Sequence, residues 1–156
     1  MAVVGYNVIM IDFSFLPNEN SKRFIAVLNK KIEVGKLMNA LGHMTAGLVG
    51  GASNIPAMCF LPYEDKEGGK HPNISHFPFI ILKADNSNQI RTVRNEAIAR
   101  NIQFTDFTST MTIGTSEEQV NNTKNTEEMN LEYYGICLFG ETETLRQFTK
   151  KFSLFV

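Results

Sequence analysis

The sequence lacks a charge excess of either sign: 15 Lys and Arg against 16 Asp and Glu leave a formal net charge of -1. Proteins that draw affinity from neutralising phosphates carry a marked basic surplus. No large nucleic-acid footprint is therefore expected. Cysteine is scarce as well, with 2 residues, Cys59 and Cys137, in the apolar contexts MCFLP and YGICLF. They read as reduced, buried thiols in a reducing compartment. There is no C-x-x-C and no Cys/His cluster of the kind that builds a structural zinc site. No apolar run is long enough to span a bilayer, and no basic, small-residue leader opens the chain. The expectation is a cytoplasmic protein with no membrane contact.

Several reaction classes lack their sequence fingerprints. G-x-S-x-G, G-x-x-x-x-G-K-[ST], G-x-G-x-x-G and H-E-x-x-H are all absent. No cofactor and no metal is expected. His71 and His76 in HPNISH stand near Glu64, Asp65 and Glu67, but their spacing matches no metal motif, and ordinary loop histidines account for them.

What is present is a chain of 156 residues, 43% hydrophobic and 20% charged, which fits one globular domain with a real core. Residues 1–22 read as an N-terminal extension or edge strand. Residues 23–156 read as a single α/β domain with a polar insertion at about 112–130. Residues 23–28 (RFIAVL), 77–83 (FPFIILK), 103–107 (QFTDF) and 131–139 (LEYYGICLF) read as strands, the apolar runs being those of strands buried on both faces. A further short strand is expected at 57–61. The KEGGK run signals a turn in a hairpin-like excursion.

Helical spacing of Val34, Leu37, Met38, Leu41, Met44, Thr45 and Leu48 predicts a helix closed by Gly50 and Gly51. Gly42 and Gly47 inside it point to close approach of a backbone or a ligand. A second helix starts at Asp85, Asn86 and Ser87 and stops at Asn101. Thr115 and Glu118 have the form of a capping box within the insertion. A last helix spans 141–152, with Leu145, Phe148 and Phe152 on its core face. The succession implies a three-layer α/β/α domain on a mixed four-stranded sheet, with the first three strands parallel. Ligands of such sheets bind beyond the strand carboxyl ends. That rule puts residues 29–36, the Asp85 region and residues 106–110 on one rim.

Three groups on that rim carry candidate chemistry. Lys31, Gly35 and Lys36 mark a strand-to-helix junction, where free N–H groups, the helix dipole and lysines favour an anion; a solvated lysine pair balanced by Glu33 is the plain alternative. Lys36, Asn39 and His43 fall at i, i+3 and i+7 on one helical face. His43 reads either as a proton carrier or as a packed residue holding a carbonyl. Asp106 and Thr110 follow the third strand in TDFTST, where they serve either chemistry or turn capping.

This succession of strand, K-x-x-x-G-K, small-residue helix with Gly-His, and later Asp-x-x-x-Thr resembles the type II peptidyl-tRNA hydrolases. The residues that carry the likeness are Lys31, Gly35, Lys36, Gly42, His43, Asp106 and Thr110, followed by a strand ending at Gly140 and an amphipathic helix. The chain departs from that family where its helix glutamine falls on Ala40, where Phe107 and Thr108 replace Ala-Gly, and in a longer 112–130 connection. In these departures it is similar to the uncharacterised bacterial proteins grouped as domain of unknown function family two thousand.

The resemblance implies a metal-independent ester hydrolase. Lys31 and Lys36 would bind phosphate or stabilise an oxyanion, Asp106 would orient a lysine or water, and Thr110 would assist. Gly35, Asn39 and His43 would contribute to ligand binding. The implied substrate is a tRNA-linked ester. The alternative is a non-catalytic binding or regulatory domain for a small anionic or nucleotide-like ligand, and a homodimer built on the apolar termini is a further expectation.

Overall fold

The computed structural model describes residues 11–156. The expected N-terminal edge strand falls largely outside them, and residues 13–15 within them form one turn of 3-10 helix. The chain then runs β1 (Lys22–Asn29), α1 (Val34–Gly50), β2 (Phe60–Glu64), β3 (Lys70–Ser75), β4 (Phe79–Ala84), α2 (Ser87–Ala99), β5 (Gln103–Thr108), α3 (Ser116–Lys124), β6 (Tyr133–Glu141), α4 (Thr142–Thr149) and β7 (Ser153–Leu154).

Among the described residues the main sheet has five strands in the order β5-β6-β1-β4-β7, and β2 and β3 form a separate two-stranded hairpin. The expected four-stranded sheet is corrected by β7, whose two exposed residues are too few to show any periodicity. The expected strand at 57–61 is corrected as well. Pro56 sits at the start of a 3-10 turn over Ile55–Met58, capped by the Asn54 side chain, and β2 begins only at Phe60. The last helix ends at Thr149, so Phe152 packs from beyond it.

β1 pairs in parallel with β4, while β6 lies antiparallel between β1 and β5. Two antiparallel steps restore direction, so β1, β4 and β5 all point the same way. Their carboxyl ends share one rim even though β5 touches neither of the other two.

β1 is buried on both faces because helices cover both sides of the sheet. Phe24, Ala26 and Leu28 meet α1 through Leu37, Met44 and Leu48. Ile25 and Val27 meet α2 and α4 through Ile90, Val93 and Leu145. Each fully buried large side chain of these sets contributes about 1.5–3 kcal/mol by leaving water. Gly135 on β6 admits α1 closely: a Cβ there would lie 2.9 Å from Met44 Cε and 2.7 Å from Leu28 Cδ2.

Candidate polar cleft at the sheet rim

The carboxyl rim of β1 is closed by its own residues. Asn29, 2% exposed, donates from Nδ2 to the Tyr133 carbonyl at 3.2 Å. Its Oδ1 accepts from the Lys31 backbone N–H at 3.1 Å. Lys30 N–H donates to the Ala84 carbonyl, and its ammonium pairs with Asp85. The Lys30 hydrogen bond and its charge hold the Asp85 carboxyl below its ordinary range. The lysine that meets an acid across the rim is thus Lys30, next to the candidate Lys31, and that acid is Asp85 rather than Asp106. Lys36 pairs with Glu33 at 3.3 Å, with both side chains largely exposed. Such a pair is worth roughly 0–1 kcal/mol and exchanges readily.

Asp106 lies on β5, where successive side chains alternate between faces. Thr105 packs against Gly47 of α1, and Phe107 joins the α1-side core. Asp106 turns the other way, and its Oδ2 accepts from Arg94 Nε of α2 at 2.7 Å. The sheet therefore separates the Asp106 carboxylate from α1 and its Lys36. Arg94, one of three arginines on the expected wet face of α2, is the partner that the sequence reading missed.

Thr110 sits in a 3-10 turn directly after β5. Its Oγ1 lies 2.8 Å from Thr108 Oγ1 and 2.7 Å from Thr123 Oγ1. Thr123 in turn donates its hydroxyl proton to the Gln119 carbonyl at 2.8 Å. A hydroxyl has one proton. Thr110 must therefore donate to Thr123, and Thr108 to Thr110. The chain ties α3 to the end of β5, and it commits the Thr110 proton.

Asn39 and His43 do share a cleft. They line it on the α1 side, with Phe107 at its base and Thr112, Ser116 and Gln119 opposite, in a volume of about 480 Å³. The His43 ring lies over Phe107 at 5.8 Å between centroids, 25° from parallel. Asp106 also borders this cleft, at the edge strand, while its carboxylate stays with Arg94 on the other side of the sheet. The wall from residues 112–119 belongs to the polar insertion, whose capping box at Thr115 and Glu118 forms as expected. Of the glycines within α1, Gly47 meets Thr105 Cγ2 at 3.2 Å, while among the described residues nothing lies within 4 Å of a Cβ at Gly35 or Gly42.

The remaining candidates fall elsewhere. His71 pairs with Asp65 on the hairpin, and His76 Nε2 contacts the Pro17 carbonyl at 2.8 Å. Among the described residues, no three His, Cys, Asp or Glu side chains gather as a metal site would require. Cys137 is buried, which pushes its thiol up to about 12, so it is no nucleophile at neutral pH. Cys59 is only half-buried, a correction to the expectation of two buried thiols.

Residues 22–155 match the family described as protein of unknown function (DUF2000). The chain belongs to that family. No curated protein matches it. Among solved structures, the DUF2000 chain is similar to the protein of unknown function Atu0240 from Agrobacterium tumefaciens, with a TM-score of 0.75 and 16% identity over 87% of this chain and 98% of that one. At that identity the likeness shows the fold alone, which among the described residues here is an α/β domain with a mixed five-stranded sheet and four α-helices. Among the described residues, no helix of this DUF2000 protein is long and apolar enough to cross a membrane.

Proposed function

We propose that this domain binds a small nucleotide-like ligand and does not catalyse a reaction on it. One observation carries the reading: Asn39 and His43 of α1 line a polar cleft of about 480 Å³ with Thr112, Ser116 and Gln119. The volume suits a small ligand, and a few convergent polar groups on an apolar base are what orient one. A planar ring would lie beside His43 and Phe107 and take hydrogen bonds from the amides of Asn39 and Gln119. Lys36, on the same helical face as Asn39 and His43, would meet the anionic end. Its exposed pair with Glu33 gives way at little cost.

A second reading is the metal-independent ester hydrolase that the likeness to the type II peptidyl-tRNA hydrolases implies, with Lys31, Lys36, Asp106 and Thr110 as its machinery. In its favour, Asp106 borders the same cleft as His43. Against it stand the bond from Arg94 to the Asp106 carboxylate and the committed proton of Thr110. A general base must reach the proton it takes. Calorimetric titration with adenosine monophosphate, repeated on Asn39→Ala, tests the first reading: saturable heat lost in the variant supports it, and no heat with the parent protein rejects it. Release of amino acid from an aminoacyl ester, abolished by Asp106→Asn, would instead establish the second.

A further inference from the structure

Residues 109–132 form a loop that is stapled at its base. The Ser109 N–H donates to the Glu132 carbonyl at 2.9 Å. Arg91 of α2 grips the returning chain. Its guanidinium donates to the Glu128 carbonyl at 3.1 Å, to the Leu131 carbonyl at 2.9 Å and to the Glu128 carboxylate at 2.9 Å. That carboxylate also accepts from the Tyr133 phenol at 3.0 Å. Both ends of the loop are therefore fixed to the sheet and to α2.

Between those ends the bonding changes. Among the described residues, the hydrogen bonds of residues 113–126 stay within that stretch, except where Thr123 accepts from Thr110 at 2.7 Å. None of Ser116–Lys124 is buried. A segment bonded mostly to itself, with little burial, opens well below the free energy of global unfolding.

The stretch also has a pivot. Gly114 stands at φ +87°, which other L residues rarely adopt, and the chain turns there into the capping box of Thr115 and Glu118. Gln119 reaches back from α3 and donates from Nε2 to the Gly114 carbonyl at 3.2 Å. The same Gln119 lines the cleft beside Ser116. One side chain thus touches both the pivot and the cleft, and Thr123, about one helical turn further on, carries the bond to Thr110.

We propose that residues 112–127 are a hinged wall of the cleft. α3 swings about Gly114, the Thr110–Thr123 bond latches it, and a ligand is held only in the latched state, where Ser116 and Gln119 line the cleft with Asn39 and His43. Retention of the ligand presupposes the binding function proposed above, whereas the hinge does not. A ligand that binds one of two states draws the equilibrium to that state. Occupancy of the cleft therefore closes the wall, and release requires the latch to break.

Amide exchange, followed residue by residue on the full chain, tests this. Without ligand, the amides of α3 should exchange together and much faster than those of α1. Exchange of α3 no faster than that of α1 overturns the hinge. The Thr110 and Thr123 hydroxyl oxygens are 2.7 Å apart, close to the reach of a disulfide. In Thr110→Cys/Thr123→Cys, made with Cys59→Ser to remove the half-buried thiol, oxidation should slow α3 exchange and a reductant should restore it. A cross-linked sample whose α3 still exchanges at the parent rate overturns the latch. Thr123→Val, which cannot accept from Thr110, is the second variant. It should speed α3 exchange roughly two- to tenfold, and an unchanged rate also overturns the latch. Adenosine monophosphate at about 100 times its Kd should slow α3 exchange about 100-fold. Saturable shifts at Asn39 and His43 with α3 exchange unchanged overturn the wall and leave the binding function standing. No binding at all rejects that function and the ligand's part here, while the exchange measurements still decide the hinge.

Discussion

Arg94 Nε lies 2.7 Å from Asp106 Oδ2, on the side of the sheet away from α1. The pair joins α2 to the edge strand β5, and the Arg94 guanidinium also lies 5.7 Å from the Phe104 ring centre. The Asp106 side chain is 16% exposed and that of Arg94 29%. Removing the arginine leaves a half-buried carboxylate without its donor, so Arg94→Ala should destabilise the fold by about 1–3 kcal/mol. Asp106→Asn should cost less, since an amide oxygen still accepts. Urea denaturation of both variants and the double mutant measures the coupling, and a coupling near zero would show that the pair does not brace the sheet.

The hydroxyl chain Thr108–Thr110–Thr123 predicts a local effect. α3 buries none of its residues, so little else described holds it to the sheet. Thr110→Val should lower amide exchange protection across α3 while reducing global stability by only about 1 kcal/mol. If α3 keeps its protection in that variant, the chain is not its tether.

Tyr133 gives a pH dependence. Burial first, and then its hydrogen bond to Glu128, push the phenol up to about 12. Folding thus favours the protonated form. The stabilisation is complete below the ordinary value near 10 and is lost as the pH rises from about 10 through about 12. The denaturation midpoint should fall across that interval, and Tyr133→Phe should flatten the slope. A slope unchanged in the variant would assign it to other groups.

What the sequence disclosed is mostly local or directional. The capping box at Thr115, the Asn86 cap of α2 and the doubly buried β1 follow from neighbouring residues, and each is present. The shared rim followed from crossover handedness, which survives the insertion of antiparallel β6. The facing of β5 did not follow. All its residues are at least half-buried, so no polar-apolar alternation tells Thr105 from Asp106. Only the registry with β6 and the position of Arg94 decide which side the carboxylate takes. Likewise, nothing near Thr110 in sequence announces Thr123, which a helix brings back across thirteen positions.

The proposed function requires that a ligand sit in the cleft of Asn39 and His43. Amide chemical shifts followed during titration with adenosine monophosphate test this most directly. Ligand binding there should give saturable shifts at Asn39, His43, Phe107, Thr112 and Gln119, with Lys36 following the phosphate, and these should be lost in a His43→Ala variant that still folds. Saturable shifts confined to Arg94 and its neighbours on the opposite face, or no shifts at millimolar ligand, would contradict it.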